Sequence, residues 1–393
     1  MNINDTSSLM TYINEKLVRY VTYMNTIGFK QGSSEWLKNR VYSIGCSELY
    51  DAVGTEVKKK KVVDTKLGRG PNLSHIIPVI WGNVFESSTR LVSELFLGTK
   101  IFTLNGSIKH KNNVVTCSPD GIGIVRLPLD VAIRLTTKNI DNYYTVKKDI
   151  IRFKSNELIE SAITVEFGKS SLNNWSPPTS DSDVEFVALY EFKSRKGKQI
   201  THDKIQPDHL YQVLGGIEVM NVVYNVGVYV ESEFDTGNFN PIGVVVNDNH
   251  RRQRGNAYFG SCKYVTLTDR VNIVMQELDL NELKGKRITE DYIVIDGPYI
   301  FSYGDKVIFD DNGFFDLYPQ LKSIPIPTEV IMLNVYFKQI NDLLDRLPNK
   351  PTFYSTYQLK QLSIKYVSGL RGFVDLLEPR CKEVLKTVSE NKM

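Results

Sequence analysis

Three carboxylates, one lysine and one glutamine stand along this chain in an order suited to phosphodiester chemistry. Glu86 closes the run Trp81-Gly82-Asn83-Val84-Phe85-Glu86, and Asp120 sits in Ser118-Pro119-Asp120-Gly121. Glu191 and Lys193 flank Phe192, and Gln212 follows Tyr211. Cutting a phosphodiester needs charge neutralised at the phosphate, an activated water and a stabilised leaving oxygen. Two nearby metal ions bridged by acids can supply all three. Magnesium takes oxygen ligands in near-octahedral geometry. Glu86, Asp120 and Glu191 are therefore the candidate ligands for Mg²⁺ or Mn²⁺, with two ions expected and the Phe192 carbonyl as a further oxygen. Lys193 would support the water or the phosphate, and Gln212 would orient the nucleophile.

Each piece alone is weak. Pro-Asp-Gly is an ordinary turn, and Glu-x-Lys is common on solvated strand faces. Context strengthens the second, because Glu191 and Lys193 follow the apolar run Val184 to Tyr190. A strand of that kind is largely buried, and buried charges need a partner or a metal. Side chains two apart share one strand face, so Glu191 and Lys193 point the same way and Phe192 points into the core.

These residues need a scaffold of helices and strands. Helical spacing runs over about 8–24, from Ser33 or Ser34 as an N-cap, from Ser47 after Gly45, and from Pro78 to a C-cap at Gly98. In the helix ending at Gly98, Ile80, Val84, Leu91 and Leu95 form one stripe. Strands are expected at Ile101–Leu104, Val114–Cys117, Ile122–Val125, Glu185–Phe192, Val222–Val230 and Pro241–Val246, with a helix over about Pro207–Met220. This alternation predicts a mixed α/β core. Lys58 to Lys61 fall in a polar, glycine-containing stretch that reads as a mobile loop. The Trp175–Asp183 segment is turn-rich. After about Arg270 the pattern gives a helix over Val271–Leu283, a β-rich patch over Tyr292–Phe309, and two or three amphipathic helices.

The chain has 393 residues, 41% hydrophobic and 24% charged, with a net charge of +3. That balance is ordinary for a globular protein and advertises no global basic field, so a nucleic-acid surface would be a local patch. Cys46, Cys117, Cys262 and Cys381 show no CxxC spacing, which excludes the usual zinc and redox motifs. Cys117 reads as structural. His202 and His209 lie at no ligand spacing with a cysteine, and a hard-oxygen site does not call for imidazole. The sequence shows no signal-peptide pattern and no apolar run of membrane-spanning length. A soluble, intracellular protein is expected, with no membrane partner.

Read together, the motifs resemble the lambda-exonuclease branch of the PD-(D/E)xK nucleases, which includes the YqaJ-type viral recombinases and the viral alkaline nucleases. The likeness covers about residues 33–230 and is specific as a set. It implies an α/β fold with a restriction-endonuclease-like core, a mixed sheet flanked by helices. It also implies a metal-dependent DNA exonuclease that resects duplex DNA from the 5′ end. Trp36, Arg40 and Ser47 lie upstream, and by resemblance Arg40 and Ser47 hold a terminal 5′-phosphate. Lys196 and Lys198, in the basic stretch after Glu191, are expected to meet DNA phosphates. One departure is plain: Asp120 and Glu191 are 71 residues apart, so residues 127–183 are read as a large insertion. The division expected is a nuclease core over 1–270 and a mostly helical C-terminal extension over 271–393. The implied partners are double-stranded DNA, RNA as an alternative substrate, and a single-strand annealing protein. A monomer is favoured over a ring, and a viral origin would place it in the host nucleus or at a cytoplasmic replication site. Two competing functions stay open: an endonuclease on RNA or structured DNA using the same metals, and a non-catalytic DNA-binding recombination factor.

Overall fold

Strand β7, Asp183–Arg195, is the longest strand described and organises the fold around it. The computed structural model describes residues 33–71, 77–99, 101–103, 106–136, 140–147, 150–166, 183–195, 200–220, 225–235 and 358–392. It also describes short strands at 259–261, 293–295, 300–303, 306–309 and 352–354, and positions 138, 339, 342, 343 and 346. The expected helices over 8–24 and Val271–Leu283, the strand Pro241–Val246 and the basic pair Lys196 and Lys198 fall outside these residues.

In chain order the elements that build the site are α1 (Ser34–Val41), β1 (Ile44–Gly45), a 3-10 turn (Cys46–Glu48), α2 (Leu49–Ala52) and α3 (Glu56–Lys66). Next come α4 (Ile77–Leu97), β2 (Ile101–Phe102), β3 (Ile108–Lys109), β4 (Val115–Cys117), β5 (Gly121–Pro128) and α5 (Leu129–Thr136). The rest are β6 (Ile159–Glu166), β7, α6 (Pro207–Met220), β8 (Val226–Asp235), β9 (Gln358–Ser368) and α7 (Phe373–Glu390). A six-stranded sheet has the order β2-β5-β7-β8-β9-β6. Only β7 and β8 pair in parallel; the other neighbours are antiparallel. Parallel neighbours need a crossover, and α6 supplies it. A smaller sheet, β1-β4-β3, lies beside it. The result is a mixed α/β fold, a mixed sheet flanked by helices.

The period of two along β7 divides the interior. Phe186, Ala188, Tyr190 and Phe192 join Phe85, Val92 and Phe96 of α4 in one core cluster. Val187 and Leu189 join α2, α3, α6 and α7 residues in the other. Helix α4 buries Phe85, Ser88, Thr89, Val92, Ser93 and Phe96, a helical stripe. It ends where Gly98 takes φ 60°, the left-handed turn expected after a helix. Thr89 ties the helix to the sheet, its Oγ1 lying 2.7 Å from Ser194 Oγ and 2.5 Å from Ser232 Oγ.

One expectation changes. Lys58–Lys61 are not in a loop; they lie within α3. Thr55 precedes the helix in extended backbone and Glu56 opens its first turn. Lysine is a good helix former, and Val62, Val63 and Lys66 supply the buried side. Three of the four lysines are paired: Lys58 and Lys61 with Asp51 at 3.1 and 2.9 Å, and Lys59 with Glu56 at 3.0 Å. Residues 127–183, read as an insertion, include the end of β5 and the whole of β6, the strand at one edge of the main sheet. Of the C-terminal extension, the described residues include one long helix and one strand of the main sheet. Phe373–Glu390 is a helix, with Phe373, Leu377, Cys381, Val384 and Val388 buried. Gln358–Ser368 is a strand inside the sheet, because Leu362, Ile364 and Tyr366 alternate with Ser363 and Lys365, a strand period rather than a helical one.

Candidate active site

The strand β7 runs through buried surroundings to its polar end. Glu191 is 2% exposed, and Lys193, two residues on, donates from Nζ to Glu191 Oε1. Asp120 stands at the entry to β5, the antiparallel neighbour of β7. Its Oδ2 accepts the Phe192 N–H at 3.0 Å. That bond ties the Pro-Asp-Gly turn to the Glu-x-Lys strand across the intervening chain. Gly121 follows because the turn is crowded: a Cβ there would lie 2.7 Å from Ile101 Cγ2. Phe192 turns its ring into the opposite cluster, stacked on Tyr190 with centroids 6.2 Å apart.

A cavity of about 660 Å³ opens here. Glu86, Asp120, Lys193 and Gln212 line it, and so do Trp36, Arg40 and Ser47. Glu86 comes from α4 and Gln212 from α6, so four elements converge. Glu191 lies behind this lining. Lys196 and Lys198 lie outside the described residues.

The electrostatics are those of crowded acids. Burial, then the nearby Asp120 charge, pushes the Glu86 carboxyl up to about 7, against a smaller opposing pull from Lys193. The same two causes push Glu191 up to about 8. Burial opposes the charge on Lys193, but Glu191 and Asp120 outweigh it and raise its pKa. A lysine held protonated cannot act as a base; it can donate to a phosphate oxygen or a water. Three acids whose charges oppose one another are the donor set a divalent cation relieves. The oxygens present therefore fit a hard cation.

The cavity lining also carries a cation, Arg40. Arg40 Nη2 donates to Ser47 Oγ at 3.0 Å and lies 3.8 Å from Glu48 Oε1. Its guanidinium stacks 4.7 Å above the Trp36 ring. Trp36 in turn donates from Nε1 to Ser118 Oγ at 3.3 Å, which joins α1 to the Asp120 turn. Sequence reasoning missed the group that anchors the segment around Arg40. Lys66, 7% exposed, donates to the Arg40 and Ser43 carbonyls at 2.9 and 2.6 Å and to Glu48 Oε2 at 2.9 Å. Burial lowers its pKa, and Glu48 offsets part of that fall. The available signal is the helical spacing of Val62 and Lys66 on one buried side. Lys66→Met should destabilise the protein by about 3 kcal/mol, since it removes a buried charge's bonds to two carbonyls and leaves Glu48 with the Gly45 N–H and Arg40 alone. Chemical denaturation measures this, and a loss within error of zero would remove Lys66 as the anchor.

Behind Lys193 a second charged cluster is internally matched. Glu231 accepts from Arg195 Nη2 at 2.7 Å and from Lys365 Nζ at 2.9 Å. His209 Nδ1 lies 2.7 Å from Tyr229 Oη and 3.2 Å from Arg195 Nη2. A guanidinium only donates, so Nδ1 is the unprotonated nitrogen. Burial, then Lys193 and Arg195, depresses this imidazole to about 3. His209 is a neutral structural group. His110, Glu218 and Asp375 also bring ligand atoms within 4.8 Å of one another. Their carboxylates are already engaged: Glu218 accepts from Gly372 N and Val374 N at 3.1 and 2.7 Å, and Asp375 pairs with Lys111 at 3.1 Å. Cys46 and Cys117 are buried free thiols at the cavity wall. Among the described residues no helix is long and apolar enough to cross a membrane.

No protein-family model matches the chain, and no curated protein matches it. Among solved structures it is similar to an alkaline exonuclease, LHK-Exo, from Laribacter hongkongensis, with 12% identity, 51% of this chain and 74% of that one covered, and a TM-score of 0.29. It is similar to LHK-Exo in complex with dAMP, with 13% identity, 52% and 74% covered, and a TM-score of 0.29. A likeness this distant carries no weight for the site, whose reading rests on its own geometry.

Proposed function

We propose that this protein is a metal-dependent nuclease of the PD-(D/E)xK type that resects duplex DNA from a 5′ end. The observation that carries the reading is the shared cavity, lined by Glu86, Asp120, Lys193 and Gln212 together with the Arg40–Ser47 pair. Glu86, Asp120, Glu191 and the Phe192 carbonyl would hold Mg²⁺ or Mn²⁺, two ions. Ions held there would supply neutralisation of phosphate charge and a more acidic water. Lys193 would donate to the phosphoryl oxygens while water adds to phosphorus and gives up a proton to solvent, and the leaving oxygen takes up a proton from solvent as its P–O bond breaks. The Gln212 amide accepts a hydrogen bond from that water and limits its approach. Arg40 and Ser47 donate to the terminal 5′-phosphate, and Lys196 and Lys198 follow the backbone.

Linear duplexes with a 5′-phosphate or a 5′-hydroxyl, and a closed circle, test this in Mg²⁺. Stepwise loss of the linear 5′-phosphorylated strand is expected. Cutting of the circle or of RNA would shift the reading to an endonuclease. Duplex binding without cleavage in Mg²⁺ or Mn²⁺ would leave a DNA-binding recombination factor. Arg40→Ala should lower kcat/KM on 5′-phosphorylated ends roughly 10- to 100-fold, the worth of charge-assisted hydrogen bonds. Ends with a hydroxyl should change little; equal losses on both would rule out the phosphate pocket.

A further inference from the structure

The small sheet forms a floor to the cavity, and its register aligns three residues across it. Gly45 of β1 pairs with Thr116 of β4, and Thr116 pairs with Lys109 of β3. Neighbouring strands lie about 4.8 Å apart, so this row spans about 10 Å. Arg40 stands over one end, since its Nη2 is 3.2 Å from where a Cβ on Gly45 would lie. Thr116 occupies the middle, with its Oγ1 3.2 Å from Ser43 Oγ. Lys109 holds the other end. Its neighbour Ile108 packs against the core cluster, so the strand alternation turns Lys109 the other way, into the cavity lining.

The hairpin that carries Lys109 is fixed. His110 N donates to Val115 O and Asn113 N to His110 O, both at 2.8 Å, and Asn113 takes φ 58° at the turn. Asn112 Nδ2 donates to Glu378 Oε2 at 3.2 Å, which docks the turn on α7. The two lysines of the hairpin differ. Lys111 is matched by Asp375 at 3.1 Å. The Lys109 side chain is exposed and has no ion-pair or hydrogen-bond partner among the described residues. An unmatched cation on a fixed hairpin, facing a cavity that also holds Glu86 and Asp120, would offset the repulsion those acids exert on a polyanion.

We propose that Lys109 forms a second phosphate subsite, which holds an internal phosphodiester of the bound nucleic acid about one cavity floor away from the Arg40–Ser47 pair. This rests on the nuclease reading, and it separates two tasks: Arg40 reads an end, and Lys109 grips the chain whatever its end. A lysine–phosphate contact adds about 0.9 to the slope of log binding constant against log salt.

The test measures binding of labelled duplex by wild type, Lys109→Gln and Lys109→Arg across a salt series, in Ca²⁺, which also takes oxygen ligands. Lys109→Gln should weaken binding roughly tenfold and flatten the slope by about one. The loss should be equal on 5′-phosphate and 5′-hydroxyl ends, and Lys109→Arg should restore it. Thermal melts check that the variants fold. An unchanged slope in Lys109→Gln, with wild type binding duplex, overturns the subsite and leaves the nuclease reading standing. A loss confined to phosphorylated ends would assign Lys109 to the Arg40 pocket and also overturn it. Wild type that binds no duplex overturns both.

Discussion

Lys193→Ala should lower cleavage of a linear 5′-phosphorylated duplex about 1,000-fold, the usual consequence of removing one aimed donor from a charged transition state. Duplex binding should fall far less, because the charge Lys193 meets grows only as the phosphorus is attacked. The geometry makes the variant informative. Lys193 donates to Glu191 and is held protonated by Glu191 and Asp120, so its loss removes a fixed positive charge and no base. Arginine at this position would keep the charge but not its compact placement, and only partial recovery is expected. Steady-state rates with matched melting curves check this. An alanine variant that keeps wild-type turnover would remove the proposed site, whatever else the protein does.

Glu86→Gln should stabilise the metal-free protein at about pH 9 and leave it nearly unchanged at about pH 4. Burial and Asp120 push the Glu86 carboxyl up to about 7. Its folded pKa therefore lies above the unfolded one, and between about 4.5 and 7 the folded state binds the proton more tightly. Stability is full below the unfolded pKa and falls as pH rises through the folded pKa. The variant escapes that fall, by up to about 3 kcal/mol if the whole shift is expressed. Added Mg²⁺ should reverse the ranking, stabilising wild type more than the variant, because the cation satisfies a charge the variant lacks. Denaturation in chelator and in Mg²⁺ at each pH measures both effects. Identical pH profiles for the two proteins would show that Glu86 does not sit in a crowded acid cluster.

Legibility in the amino-acid sequence depends on how local the signal is. Helix α6 is legible at its observed bounds, because Pro207 opens it and an apolar period runs unbroken to Met220. Strand β7 shows through its β-formers, and the placement of Glu191 and Lys193 on one side follows from the period of two. Lys58–Lys61 mislead, since a run of four charges looks like a solvated loop, while the buried Val62, Val63 and Lys66 that make it a helix come just afterwards. Lys66 itself is hidden: its three acceptors lie 18 to 26 residues away in sequence. Lys109 is hidden for a different reason. Its face is set by pairing with Thr116, and pairing register is written in no single segment. Trp36 stands out as a residue, but its bond to Ser118, 82 residues on, does not.

Strand β9 lies between β8 and β6, and this has a consequence during synthesis. Residue 358 leaves the ribosome 123 residues after residue 235. At about 5–20 residues per second, that is roughly 6–25 s in which β8 has only its β7 neighbour. Its open edge, with Val228 and Val230 alternating along it, is the kind of template that recruits a foreign strand. The nascent chain therefore carries a time-limited aggregation hazard beside β7. A chaperone that holds that edge until Gln358–Ser368 emerges would act on this protein at a definable moment of translation.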